Sequence, residues 1–219
     1  VLVLALDSAT ARCSIALWRD GQVLAARHPP AAARSDDIPL RVGEVMAQAG
    51  LGFGAIERLG VTVGPGRFTG LRAGLAFMRG LALALDRPLV GVTTLAALRP
   101  EADCAAHEIP LAVIGSGRAE LFFRVGDGAP FACVPADLPA RLPAGAAIVV
   151  VGEETQAVVI ALGAAGVAAR AVPRDVDAAD VATLAARASP GENSPGPLYI
   201  HPPAVTAPRE RPRAAAVMP

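Results

Sequence analysis

The chain has no lysine: every one of its 20 basic residues is arginine. That excludes Schiff-base chemistry and a Walker-type phosphate lysine. Together with the abundance of alanine, glycine and proline, it reads as the codon bias of a GC-rich genome. Histidine is scarce, and His28, His107 and His201 stand apart with no H-x-x-x-H or H-E-x-x-H spacing, so no zinc or iron site is expected. The three cysteines, Cys13, Cys104 and Cys133, form no C-x-x-C pair, and their odd number fits a reduced, cytoplasmic protein. No G-x-S-x-G elbow occurs, and no catalytic residue is predicted. Net charge is absent too, since 20 acidic residues balance the 20 basic ones; independent tight binding to nucleic acid or to an anionic membrane is not expected. The apolar start Val1 to Leu6 lacks a basic flank and reaches Asp7 after one short run. It reads as a buried first strand, neither signal peptide nor membrane span.

What is present is a core. Apolar residues make up 53% of the 219 positions and charged ones 18%, a balance that supports a folded globular chain. Val1 to Leu6, Cys13 to Trp18 and Gln22 to Arg27 predict an antiparallel meander, with Arg19-Asp20-Gly21 as a turn. Ser35 or Asp36 is placed to cap a helix whose apolar positions Ile38, Val42, Val45, Met46 and Ala49 share one face. A strand Leu59 to Val63, a helix Leu71 to Leu85 and a strand Leu89 to Val92 follow. A meander continued by β-α-β elements predicts a mixed sheet with helices on its faces. A break at Arg99-Pro100-Glu101 places a domain boundary there, dividing residues 1–100 from a smaller half, 101–219. That half is assigned strands at Leu111 to Ile114, Leu121 to Val125, Ala147 to Val151 and Val167 to Val172, with helices Thr155 to Leu162 and Ala178 to Ala188. A mobile tail is expected from about residue 207.

Two turns carry the candidate chemistry. Gly64-Pro65-Gly66-Arg67-Phe68-Thr69-Gly70-Leu71-Arg72-Ala73-Gly74 joins a strand to a helix, a layout that aims backbone N–H groups at a phosphate. Asp7-Ser8-Ala9-Thr10, between paired strands, offers a carboxylate and two hydroxyls to a metal-nucleotide complex. Asp7, Ser8, Thr10, Gly64, Gly66, Thr69 and Gly70 are therefore the candidate nucleotide- or phosphate-facing residues. Plain turn chemistry and strand-to-helix geometry account for the same residues. The helix after the glycine loop has little polar cover beyond Arg72 and Arg79, so a second layer or a partner chain is expected over it.

The motif G-P-G-x-F-T-G-x-R, the Asp-Ser-Ala-Thr turn with its following Cys-Ser-Ile-Ala-Leu strand, and the strand ending Gly91-Val92-Thr93-Thr94-Leu95 resemble the bacterial TsaB family, also called YeaZ or glycoprotease-like. The likeness covers the first hundred residues well and the second half loosely, through Glu120-Leu121-Phe122-Phe123 and Pro197-Leu198-Tyr199-Ile200. It implies a two-lobed actin-like, ribonuclease-H-like (ASKHA) α/β fold with a mixed five-stranded sheet in the first lobe and a reduced second lobe. It also implies a non-catalytic partner of the transferase TsaD in threonylcarbamoylation of tRNA adenosine beside the anticodon. The ATPase TsaE joins them, a homodimer forms in their absence, and tRNA is contacted indirectly. No cofactor of its own is implied, ATP and magnesium entering only through the partner complex. The implied interface lies on the two helices of the first lobe: Ile38, Val42, Val45 and Met46, then Leu71, Ala73, Gly74, Phe77, Met78 and Leu81. The alternative is a small actin-like ATPase or nucleotide-binding protein acting alone; the glycoprotease label finds no metal ligands. The chain departs from the family at Arg34-Ser35 and at Gly115-Ser116-Gly117. A basic tail at Arg209, Arg211 and Arg213 leaves direct tRNA contact open.

Overall fold

The structure, a computed structural model, describes residues 1–28, 37–189 and 195–201. Strand β1 (Leu2–Asp7) has no solvent exposure on either face, which is why its sequence is a continuous apolar run rather than an alternating one. Strands β2 (Ser14–Arg19) and β3 (Gln22–Arg27) complete the meander. Strands β4 (Arg58–Thr62) and β5 (Leu89–Val92) add in parallel on the other side of β1, so the first sheet runs β3-β2-β1-β4-β5. Leu2, Leu4 and Leu6 point to one face, where helices α1 (Ile38–Gln48) and α2 (Phe68–Leu85) bury Ile38, Val42, Val45, Met46, Leu75 and Met78. Val3 and Ala5 point to the other face, as the two-residue period of a strand requires. Asp37 precedes α1 without a side-chain cap, and the expected caps Ser35 and Asp36 lie outside the described residues, as do Arg34 and the basic tail.

The second sheet repeats the plan of the first. Strands β6 (Glu108–Gly115), β7 (Leu121–Val125), β8 (Phe131–Cys133), β9 (Ala147–Gly152) and β10 (Ala169–Pro173) are ordered β10-β9-β6-β7-β8. Read from its antiparallel edge, this is the same third-second-first-fourth-fifth arrangement, with three antiparallel strands followed by two parallel ones. The leanness of this half lies in its helices. A 3₁₀ segment, Pro135–Arg141, occupies the place that α1 holds in the first half, and α4 (Thr155–Ala164) follows β9.

The helices that end each half are exchanged. The short helix α3 (Thr94–Ala97), capped by the Thr93 hydroxyl, follows β5 but packs towards β6 of the second sheet. Helix α5 (Ala178–Arg187) follows β10 yet lies across β1, β2 and β4 of the first. Its alanine-rich face, Ala178, Val181, Ala182 and Ala185, lets it sit close to the sheet, and a Cβ on Gly60 would stand only 2.9 Å from that of Ala185. Both of its ends are tied to the first lobe. The Ala178 N–H donates to Ser14 Oγ at 2.9 Å, and Arg58 Nη1 donates to the carbonyls of Ala185, Ala186 and Ala188 at 2.8, 3.1 and 2.7 Å. The central core between the sheets therefore draws on both halves, from Val3 and Trp18 to Ile114 and Phe122.

Candidate functional site

The glycine loop is pressed onto the turn after β1. The Arg67 N–H donates to the Ala9 carbonyl at 2.7 Å, and Ser8 Oγ donates to the Gly70 carbonyl at 2.9 Å. Gly66, Gly70 and Gly74, four residues apart, face this turn, and a Cβ at any of them would overlap the Ala9 carbonyl, the Ser8 carbonyl or the Ser8 hydroxyl in turn. Gly64 has φ +105, and a Cβ there would stand 2.6 Å from the Leu198 carbonyl. The motif's spacing is thus a packing seam between α2 and the first hairpin. Of the candidate phosphate-facing residues, Ser8 lies against Gly70, Gly66 lies against Ala9 beside Asp7, and Gly64 faces Leu198 and Leu71 instead. Thr10 is half-buried at the rim and Thr69 is exposed on the first turn of α2.

Asp7 is wholly buried, and its oxygens are occupied. Thr62 Oγ1 donates to Oδ1 at 2.7 Å, the Ala9 N–H donates to the same oxygen at 3.1 Å, and Thr10 Oγ1 donates to Oδ2 at 2.6 Å. Burial pushes the carboxyl up from its ordinary value of 3.8, more strongly than these three donors pull it down. Burial and the neighbouring Asp7 likewise push the Cys13 thiol up to about 11. Because Asp7 holds its proton longer folded than unfolded, its contribution to stability falls as pH rises from about 3.8 through the folded value. Asp7→Asn keeps an oxygen for Thr62 and Ala9 and turns an amide towards Thr10, whose own hydroxyl is 3.1 Å from the Arg12 carbonyl. It is expected to stay within about 1 kcal/mol of the parent and to lose that pH slope, while Asp7→Ala costs about 2 kcal/mol by orphaning the donors. Urea melts of the three proteins between pH 4 and pH 8 check both statements.

The structure corrects the expected helix surface. Ile38, Val42, Val45, Met46, Leu71, Gly74 and Met78 are buried in the chain's own core and are not available to a partner. Helical periodicity identified the correct apolar stripe, but that stripe faces the first sheet. Ala73, Phe77 and Leu81 remain half-buried at its margin. The outward surface is instead formed by Leu40, 66% exposed, and Leu83, 85% exposed, with Ala76, Gly80 and Ala84 between turns of α2. Only 22% of α2 is buried, and by length and composition alone it would pass for a membrane-crossing helix. A core helix passes the same test, and Leu71, Leu75 and Met78 hold this one against the sheet.

A cleft of about 320 Å³ opens between the lobes, walled by Arg67 and Phe68 on one side and by Arg118 and Phe122 on the other. Residues Leu198 to His201 run across it. The Leu198 N–H donates to the Val63 carbonyl at 2.7 Å, the Tyr199 ring lies tilted 5.8 Å from that of Phe68, and His201 Nε2 lies 3.1 Å from Glu120. Arg72 sits 3.6 Å over the Phe68 ring, and its Nε donates to the Tyr199 hydroxyl at 2.9 Å. In sequence, Glu120 and Tyr199 stood out only through motif likenesses, and nothing local pointed to Arg118. Gly115 is likewise explained by a distant group, since its N–H donates to Glu153 Oε2 at 3.0 Å. Among the described residues no cluster of three or more His, Cys, Asp or Glu could hold a metal ion.

A family model for TsaD, tRNA N6-adenosine threonylcarbamoyltransferase, matches residues 27–134. The TsaB protein of Escherichia coli is 39% identical over 93 residues, covering 42% of this chain and 40% of that protein. The TsaB protein of Haemophilus influenzae is 31% identical over 122 residues, 55% of this chain and 52% of the relative. The chain spans about half the length of the curated relatives it matches. The solved structure of YeaZ from Pseudomonas aeruginosa superposes with a TM-score of 0.70 and 25% identity over 90% of this chain and 99% of that one. In sequence and in fold the chain is similar to the TsaB (YeaZ) proteins. Its two mixed five-stranded sheets with exchanged helices are the actin-like fold of those proteins. The stretch matched by the TsaD model runs from the end of β3 to just past β8, so it takes in β4 to β8 and leaves out β1, β2, β9 and β10.

Proposed function

We propose that this chain is a non-catalytic partner of a TsaD transferase in the threonylcarbamoylation of tRNA adenosine, acting in the cytoplasm, with TsaE as a further member and a homodimer when they are absent. The observation that carries this reading is the outward face of α1 and α2, where Leu40 and Leu83 stand exposed and α2 has only Arg72 and Arg79 as polar cover beyond Thr69. Large apolar side chains left exposed on a folded surface favour a protein partner. The closed state of the first turn supports the absence of independent catalysis: the Asp7 oxygens already accept three hydrogen bonds, and Gly66, Gly70 and Gly74 lie close against Ser8 and Ala9. The reading as an independent ATPase has no comparable support.

The double substitution Leu40→Glu with Leu83→Glu tests the interface. Neither side chain is part of the core, so the melting temperature should hold. Co-purification with the cognate TsaD should weaken on the order of 100-fold if the two act as hot spots of about 1.5 kcal/mol each, and stimulation of tRNA modification should fall with it. Full binding and full stimulation by the double variant would overturn the interface.

A further inference from the structure

We propose that the segment Pro195 to His201 is a competing strap across α2, and that a protein partner docks on this helix by taking Arg72 and Arg79 from the strap with two carboxylates. The inference rests on the partner reading above and adds to it the charge chemistry and the regulation of the same surface. Arg72, Ala76, Arg79 and Leu83 follow one another at steps of four, three and four residues, so they form one row along the helix, and all four are exposed. The exposed Leu83 therefore ends a row that carries both guanidinium groups of α2. The helix itself contains no acidic residue. Among the described residues, the polar partners of the two arginines lie in the strap and are neutral. Arg72 Nε donates to the Tyr199 hydroxyl at 2.9 Å, and Arg79 Nη2 donates to the Pro195 carbonyl at 2.7 Å.

Each of these bonds uses a single N–H of the fork. A carboxylate takes two N–H groups at once and matches the charge, so it displaces a phenol or a peptide carbonyl from an exposed guanidinium. The strap can give up both contacts without coming off, because its middle is fixed separately: the Leu198 N–H donates to the Val63 carbonyl at 2.7 Å, and Gly64 leaves room for the Leu198 carbonyl. Arg72 and Arg79 stand seven residues apart on the helix, about 10 Å along its axis. The surface that fits them is a helix with acids at i and i+7 and apolar residues between, laid along the row that ends at Leu83. Until such a helix arrives, the strap occupies the arginines and lowers its affinity.

Binding of the full chain to the cognate TsaD is measured by calorimetry at several salt concentrations, with a melting temperature for each variant. Tyr199→Phe keeps the ring beside Phe68 and removes the hydroxyl that engages Arg72, so it should bind about threefold more tightly than the parent. Arg72→Gln combined with Arg79→Gln should bind at least about tenfold more weakly, with a smaller dependence on salt than the parent. Both side chains are exposed, so this variant should keep its fold. Equal or weaker binding by Tyr199→Phe would show that the strap does not compete, and unchanged binding by the double arginine variant would remove the carboxylate contacts. Either result overturns the proposal and leaves the partner reading standing. No complex with the parent or with Tyr199→Phe would overturn both.

Discussion

Gly70→Ala should destabilise the protein by about 3 kcal/mol, although the same change in an unhindered helix stabilises it. Gly70 lies in the first turn of α2, and its added methyl would overlap the Ser8 carbonyl oxygen. Neither backbone has room to yield. The Arg67 N–H is bonded to Ala9, and Ser8 Oγ is bonded to the Gly70 carbonyl, so the two segments are pinned together on both sides of the clash. A gain in helix propensity of roughly 1 kcal/mol cannot offset that. Gly80 provides the contrast, since it lies on the same helix with nothing within 4 Å of an added Cβ. Gly80→Ala should raise stability by roughly 0.5 to 1 kcal/mol. Thermal unfolding separates the pair, with a fall of about 6 to 12 °C for Gly70→Ala and a small rise for Gly80→Ala. If both variants melted like the parent, the seam would not be as tight as described. Gly74 belongs to the same seam, so a charge placed there probes the core and not the outward face of α2.

Arg58→Ala should cost about 2 to 4 kcal/mol, and the loss should appear first in α5. One guanidinium nitrogen serves three carbonyls at the end of that helix, and its charge sits at the negative end of the helix dipole. Removing it strips the last turn of its acceptors' partners in a half-buried place. Hydrogen exchange is the appropriate measurement, because the expected change is local: amides of Val181 to Arg187 should exchange faster while those of β1 keep most of their protection. Arg58→Lys, which restores a charge and donors without the fork, should recover part of the loss. Unchanged exchange in α5 of the alanine variant would show that packing of its alanine face alone holds the helix.

Much of the fold was legible because the strongest signals are local. Val1 to Leu6 could only be a strand buried on both faces, and β5 and β7 begin and end where their apolar runs do. Strand β8 was missed because Phe131–Cys133 is three residues long and lies close to prolines at 130 and 135. It becomes a strand only because Leu121 to Phe123 offer it an edge. Helix α2 starts at Phe68, three residues before its apolar stripe begins, since Thr69 and Gly70 of its first turn carry no periodic signal. The glycine loop could be recognised as a strand-to-helix joint, but which wall the glycines face depends on Ser8 and Ala9, more than fifty residues away. The outward surface of the two helices was hidden for a related reason. Periodicity finds the apolar stripe of a helix, and on α1 and α2 the stripe is consumed by the sheet, leaving Leu40 and Leu83 exposed outside it. Long-range charge pairings such as Arg58 with α5 leave no local trace at all.

The exchange of α3 and α5 bears on what could be removed from this protein. Severed in the connection after α3, each fragment would leave behind the helix that walls the other's inner face: the N-terminal piece would lack α5, and the C-terminal piece would lack α3. Each would expose a sheet in water, and only the two together would bury it. The second half can therefore be thin in helices and poor in reactive side chains and still be indispensable, because the inner wall of the first half is encoded there.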